Sequence, residues 1–156
     1  MVHKPKHKVH SFRGLLGDGG EDEINLERQN VNLAYRIVKF QVMVSLPHSE
    51  NSENIVKIYR ESVTVSDLLD FGETDLLGAS IINNSDSYSY NPPPIIIFDN
   101  TLFSRNIFIS NSSVQGSGSQ SINYYIEIEE VPVGAATLMQ LKLGVARKLI
   151  GGSMGK

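Results

Sequence analysis

From Ala34 to Ser45 the chain reads AYRIVKFQVMVS, which places Val38, Phe40, Val42 and Val44 on one side with Arg36 continuing that row. Tyr35, Ile37, Lys39, Gln41 and Met43 fall on the other. A period of two rich in β-branched and aromatic residues predicts a strand. Ile55 to Glu61 alternates in the same way, and the turn-rich stretch from Leu46 to Asn54 predicts that the two are neighbours in a sheet. Short apolar or alternating runs follow at Val63–Val65, Leu76–Ile82, Ile95–Phe98, Asn106–Ser110 and Ile122–Val131.

Turn chemistry separates these runs. Asn83 to Ser87, Asn91 followed by three prolines, Asp99-Asn100 and Asn111 to Ser121 are rich in residues that leave regular structure, and the prolines impose an extended approach to Ile95. The stretch Asn111 to Ser121 holds a single valine to bury, so it reads as a mobile hairpin loop. Many short strands without helices between them argue for antiparallel sheets rather than a parallel sheet with crossover helices. The period changes after Pro132: Leu138, Leu141, Val145 and Leu149 recur every three or four residues over Ala135–Ile150, which predicts a closing basic amphipathic helix.

The expected fold is therefore all-β, an antiparallel β-sandwich for which jelly-roll connectivity is one available arrangement. It carries an N-terminal arm over residues 1–20, a sandwich domain over 21–132, and a C-terminal helix and tail over 133–156. The 156 residues suffice for one such domain, and the lack of cysteine leaves compactness to apolar packing. No apolar run reaches the roughly 20 residues that span a bilayer, nor does a signal-peptide pattern open the chain. The expectation is a soluble protein, made inside the cell, without membrane contact.

Charge changes this picture. Residues 1–13 carry Lys4, Lys6, Lys8 and Arg13 without an acid, and residues 131–156 carry Lys142, Arg147, Lys148 and Lys156 without one. Each end is +4, and the body from 14 to 130 holds the other 6 basic residues against all 17 acids, a formal −11 that the net charge of −3 conceals. Terminal charges in water add little stability, so the ends read as interaction arms. Lys4, Lys6, Lys8, Arg13, Lys142, Arg147 and Lys148 are the candidate partner-binding residues. Their targets are acidic protein surfaces, including that of an identical neighbour, or phosphates without sequence specificity, since the arms have only Phe12 for base stacking.

The catalytic and metal-binding alternatives find weaker support. His3, His7 and His10 cluster, but Pro5 would break a helix presenting the first two, and no cysteine or adjacent carboxylate completes a site. Asp18, Glu21, Asp22 and Glu23 lack the ligand alternation of a calcium loop. The glycines at 14, 17, 19 and 20 have no closing Gly-Lys-Ser/Thr. His48 is the one body histidine on which a hydrolytic triad would depend. Asp67, Asp70, Glu73 and Asp75 form the densest carboxylate group, the raw material of a glycosidase pair and also of a solvated loop. The expectation is no enzyme, no metal and no cofactor.

Several segments resemble small virion structural proteins of marine bacteriophages. These are Phe12 to Leu16, Asp18-Gly19-Gly20, Ile24 to Leu26, Tyr35 to Phe40, Val56 to Tyr59, Asp70-Phe71 with Leu76 to Ala79, Ile97 to Asn100, and Asn123 to Glu127. The resemblance covers residues 12 to 131. It implies a virion component; taken with the charged ends, the expectation is a capsid-associated or decorating virion protein, made in the host cytoplasm, whose partners are its own copies and other virion proteins including a major capsid protein. The rival readings are a receptor- or carbohydrate-binding sandwich module, for which Tyr88 and Tyr90 are the one aromatic pair in a loop, and a hydrolase built on the carboxylates from Asp67 to Asp75.

Overall fold

Alternation of buried and open positions builds the longest strands. A computed structural model describes residues 8–26, 33–47, 51–84, 93–98, 100–114 and 118–134. Among these, eight strands run in order: β1 (Val9–Leu16), β2 (Glu21–Ile24), β3 (Leu33–Val44), β4 (Ser52–Tyr59), β5 (Leu76–Asn84), β6 (Ile95–Ile97), β7 (Ile107–Ser113) and β8 (Ile122–Pro132). In β8 the residues Ile122, Tyr124, Ile126 and Ile128 are buried on one face while Asn123 is exposed on the other.

The strands form two antiparallel sheets with one core between them, a sandwich-like all-β fold. One sheet has the order β1-β8-β3, the other β2-β7-β4-β5-β6, so β3 and β4, expected as neighbours in one sheet, lie in different sheets. Leu16, Phe40, Val42, Ile126 and Ile128 from the first meet Ile24, Val56, Ile58, Leu77, Ile107 and Ile109 from the second in a single apolar cluster. Beyond β6 the chain returns to the first sheet: Tyr35 N–H donates to Phe103 O at 2.7 Å, and Phe103 N–H to Tyr35 O at 3.0 Å.

In β3 the expected faces hold only from Phe40 onward. The ladder with β8 shifts register between Ile37 and Lys39, so Val38 is a bulge residue. Because a bulge adds one residue without a cross-strand partner, it moves the preceding residues to the opposite face. Tyr35 and Ile37 consequently share the core with Phe40, Val42 and Val44, while Arg36 points away and pairs with Glu129 at 2.8 Å.

Residues 9–16, expected within an arm, form a sheet strand paired with β8 along its whole length. Its inward row is His10, Phe12, Gly14 and Leu16, and the glycine interrupts the apolar alternation. The Tyr124 ring fills the space over Gly14, where an added Cβ would lie 2.8 Å from the phenol oxygen. That oxygen donates to Asp22 at 2.9 Å.

The stretch from Asn111, expected as a loop, instead continues β7 to Ser113. Asn111 is buried and donates to Leu16 O and Gln120 O at 3.1 Å each, and its own oxygen accepts from Asn54 Nδ2 at 2.8 Å. Asn54 also donates to Gln120 O at 3.0 Å. A polar residue is tolerated there because its hydrogen-bonding groups find partners. Val63–Val65 is not a strand, since it crosses the outside of the five-stranded sheet with no ladder partner; Val63 N–H meets Glu21 at 3.4 Å. The expected helix over 135–150 lies outside the described residues.

Candidate interaction surface

The predicted basic residues divide unequally. Lys8 is exposed just before β1, and Arg13 stands exposed on the outer face of that strand. Lys4, Lys6, Lys142, Arg147 and Lys148 lie outside the described residues, as do His48, Tyr88 and Tyr90. Arg13 thus belongs to a sheet surface rather than to a free arm, because Phe12 and Leu16 on either side of it turn inward.

The register defines the rest of that surface. Arg13, Tyr125 and Gln41 form one cross-strand row, Leu15, Asn123 and Met43 the next, and Ser11, Glu127 and Lys39 a third. The first two rows border a shallow hollow of about 450 Å³. Leu15 and Met43 are 60 % and 70 % exposed. The Tyr125 hydroxyl donates to Glu127 at 2.6 Å, which raises its pKa by stabilising the protonated phenol. Lys39 places its ammonium 5.8 Å from the Tyr125 ring centre. The hollow can receive an apolar body edged by groups that hydrogen-bond to it.

The outer face of the five-stranded sheet is covered by the chain itself. Ile55, Lys57 and Tyr59 alternate with the core residues Val56 and Ile58 and so point outward, yet all three are buried. The connection from Arg60 to Asp75 lies over Lys57 and Tyr59 as a flap. Lys57 Nζ donates to the Leu68 carbonyl at 2.5 Å and sits 5.6 Å from the Tyr59 ring centre. Burial lowers the Lys57 pKa below 10.5, against the pull of Glu73 and Asp67. Burial, aided by Glu73 and Asp70, pushes the Tyr59 phenol up to about 12.

The four carboxylates singled out in sequence do not act as one group. Asp75 is buried and paired with Arg60 at 3.0 Å, where the same guanidinium also donates to Thr74 O at 3.0 Å. Asp67, Asp70 and Glu73 are exposed on the flap. Among the described residues no cluster of three or more His, Asp or Glu side chains is arranged to hold a metal ion, and no helix is long and apolar enough to cross a membrane.

Sequence reasoning missed the exposed apolar side chains. Leu15 and Met43 sit at outward positions of strands, and Leu68 and Phe71 at the flap tip are 64 % and 55 % exposed. A legible signal existed in Ile95-Ile96-Ile97: three consecutive isoleucines on a strand cannot all face one core. No family model matches the chain, and no curated protein matches it.

Proposed function

We propose that the protein is a structural virion component, a capsid-associated or decorating subunit with jelly-roll connectivity that binds neighbouring subunits through its basic termini. The observation that carries this reading is the nesting of its strands. β1 pairs with β8, β2 with β7 and β4 with β5, while β3 meets the chain just after β6 through Tyr35 and Phe103. A long hairpin wound into two sheets gives that order, and capsid and lectin domains are frequent users of it. A rigid body with charged extremities suits a particle assembled from many weak contacts.

Basic ends beside an acidic body supply attraction between copies, and a closing amphipathic helix would add apolar contact. The proposed partners are identical copies and other virion proteins, including a major capsid protein; contact of the arms with nucleic acid would be through phosphates alone. The test is cosedimentation of the full chain with intact particles across a salt series. The expected result is comigration at low salt and release as salt rises; absence from particles at every salt concentration refutes the proposal.

One feature favours a second reading, a glycan- or receptor-binding module of the particle. The hollow on the three-stranded sheet sets Tyr125 among Arg13, Gln41 and Asn123, an aromatic ring with amide and guanidinium donors beside it. Glycan-array binding that Tyr125→Ala abolishes, with particle association unchanged, would select this reading.

A further inference from the structure

The flap exposes an apolar surface whose rim is acidic. Leu68 and Phe71 are 64 % and 55 % exposed at its tip, and the Phe71 ring meets Phe98 edge-on with centroids 5.4 Å apart. Ile96 lies on the same outer face, because it is in register with Ala79 and Ala79 with Lys57. Around these side chains stand the exposed carboxylates of Asp67, Asp70 and Glu73. Of the nearby cations, Lys57, which Glu73 and Asp67 attract, is buried beneath the flap, and Arg60 is engaged by Asp75 and the Thr74 carbonyl. Contiguous exposed apolar surface with a charged border marks an interaction site.

Its complement is a segment with apolar side chains on one face, several cations and no acid. Residues 135–156 have that composition: Leu138, Leu141, Val145 and Leu149 at spacings of three or four, with Lys142, Arg147 and Lys148 and no carboxylate side chain. The N-terminal stretch 1–8 matches it less well, having three lysines but only Met1 and Val2 as apolar chain besides Pro5. β8, which leads into the C-terminal segment, lies in the three-stranded sheet, and the patch lies on the far side of the five-stranded one.

We propose that the flap surface formed by Leu68, Phe71, Ile96 and Phe98 is the receptor for the basic amphipathic C-terminal segment of a second copy. This deepens the structural reading above, on which it rests, by naming the surface that takes the tail. Each copy then offers one donor segment and one receptor, so two copies can exchange segments reciprocally or the contact can continue head to tail into rings or chains.

Sedimentation velocity on the full chain tests it, at about 50 mM and about 300 mM salt. Wild type is expected to self-associate, more weakly at the higher salt. A receptor variant, Leu68→Ser with Phe71→Ser, and a donor variant, Lys142→Glu, Arg147→Glu and Lys148→Glu, are each expected to lose at least tenfold in association. Leu68 and Phe71 are outside the apolar core, and circular dichroism of each variant reports whether the sheets persist. Mixing the variants restores one intact donor and one intact receptor, so a heterodimer is expected where neither associates alone. A monomeric wild type at all concentrations, association by either variant equal to wild type, or no heterodimer from the mixture each overturns the proposal. Particle cosedimentation of the donor variant separates the two ideas: undiminished comigration alongside lost self-association would support the receptor assignment while removing this tail from particle binding. If instead self-association is unaltered and comigration is lost, the receptor assignment fails and the virion reading stands.

Discussion

Gly14 offers the sharpest test of the packing. Introducing alanine puts a Cβ 2.8 Å from the Tyr124 phenol oxygen and 2.9 Å from two of its ring carbons. Comfortable carbon contacts begin at roughly 3.5 Å, so the ring must retreat by about 0.6 Å or more. The phenol now donates to Asp22 at 2.9 Å, and a displacement of that size takes the bond to the limit of useful geometry. Overpacking costs about 1–3 kcal/mol and a hydrogen bond to a charged acceptor contributes about 1.5–3 kcal/mol. Removing glycine from a strand returns roughly 0.5–1 kcal/mol. The expected net loss for Gly14→Ala is about 2–5 kcal/mol by those magnitudes, read by equilibrium denaturant unfolding. In a Tyr124→Leu background the ring and its bond are gone, so the same alanine should be neutral or stabilise by roughly 0.5–1 kcal/mol. An equal loss from Gly14→Ala in both backgrounds would refute the idea that the tyrosine dictates the glycine.

Three further outcomes follow from the same geometry. Deleting Val38 should keep Ile37 opposite Ile128 and Lys39 opposite Glu127 in an uninterrupted ladder, so that Tyr35 and Ile37 stay inward and unfolding remains cooperative, and Val38→Ala should change stability by under about 1 kcal/mol; loss of the cooperative thermal transition in the deletion variant would refute the bulge assignment. Asn111→Ala should cost about 2–3 kcal/mol in denaturant unfolding, because the Leu16 carbonyl and Asn54 amide lose a buried partner. Lys57 titrates lower in the fold than in the unfolded chain, so the unfolded chain holds its proton more tightly and this group makes stability rise as pH climbs toward 10.5. Tyr59 acts oppositely, its contribution being present below pH 10 and lost between there and about 12. Lys57→Met should therefore flatten the rise below pH 10.5, measured by urea midpoints, and an unchanged slope would contradict the assignment.

How much could be read from the residues depended on whether local pattern and tertiary partner agreed. In β8, Ile122, Tyr124, Ile126 and Ile128 alternate without interruption, and the strand was legible to within a residue. The faces of β3 were legible only after Phe40, because nothing in Arg36-Ile37-Val38 announces a bulge that the β8 ladder requires. β1 was hidden by Gly14, whose missing side chain is supplied by a tyrosine 110 positions away in sequence. The end of β7 was hidden by Asn111, Ser112 and Ser113, since polar composition signals a loop unless Asn54 and Gln120 are known to meet it. At the surface, charge sorting gave the basic ends, while the apolar flap tip depended on a backbone path that local periodicity does not encode.

The placement of β8 also has a kinetic meaning. Among the described residues it is the last strand made and the only link between β1 and β3, which do not pair with each other. While the ribosome still holds the chain around Ile122 to Pro132, both earlier strands must wait with their backbone groups solvated and their isoleucine and phenylalanine faces open. Closure then joins the two extremities of the domain in one late step, a high-contact-order event that is slow and exposes the nascent chain to aggregation. A message cut short before β8 would yield three-quarters of the amino acids and a sheet with no middle.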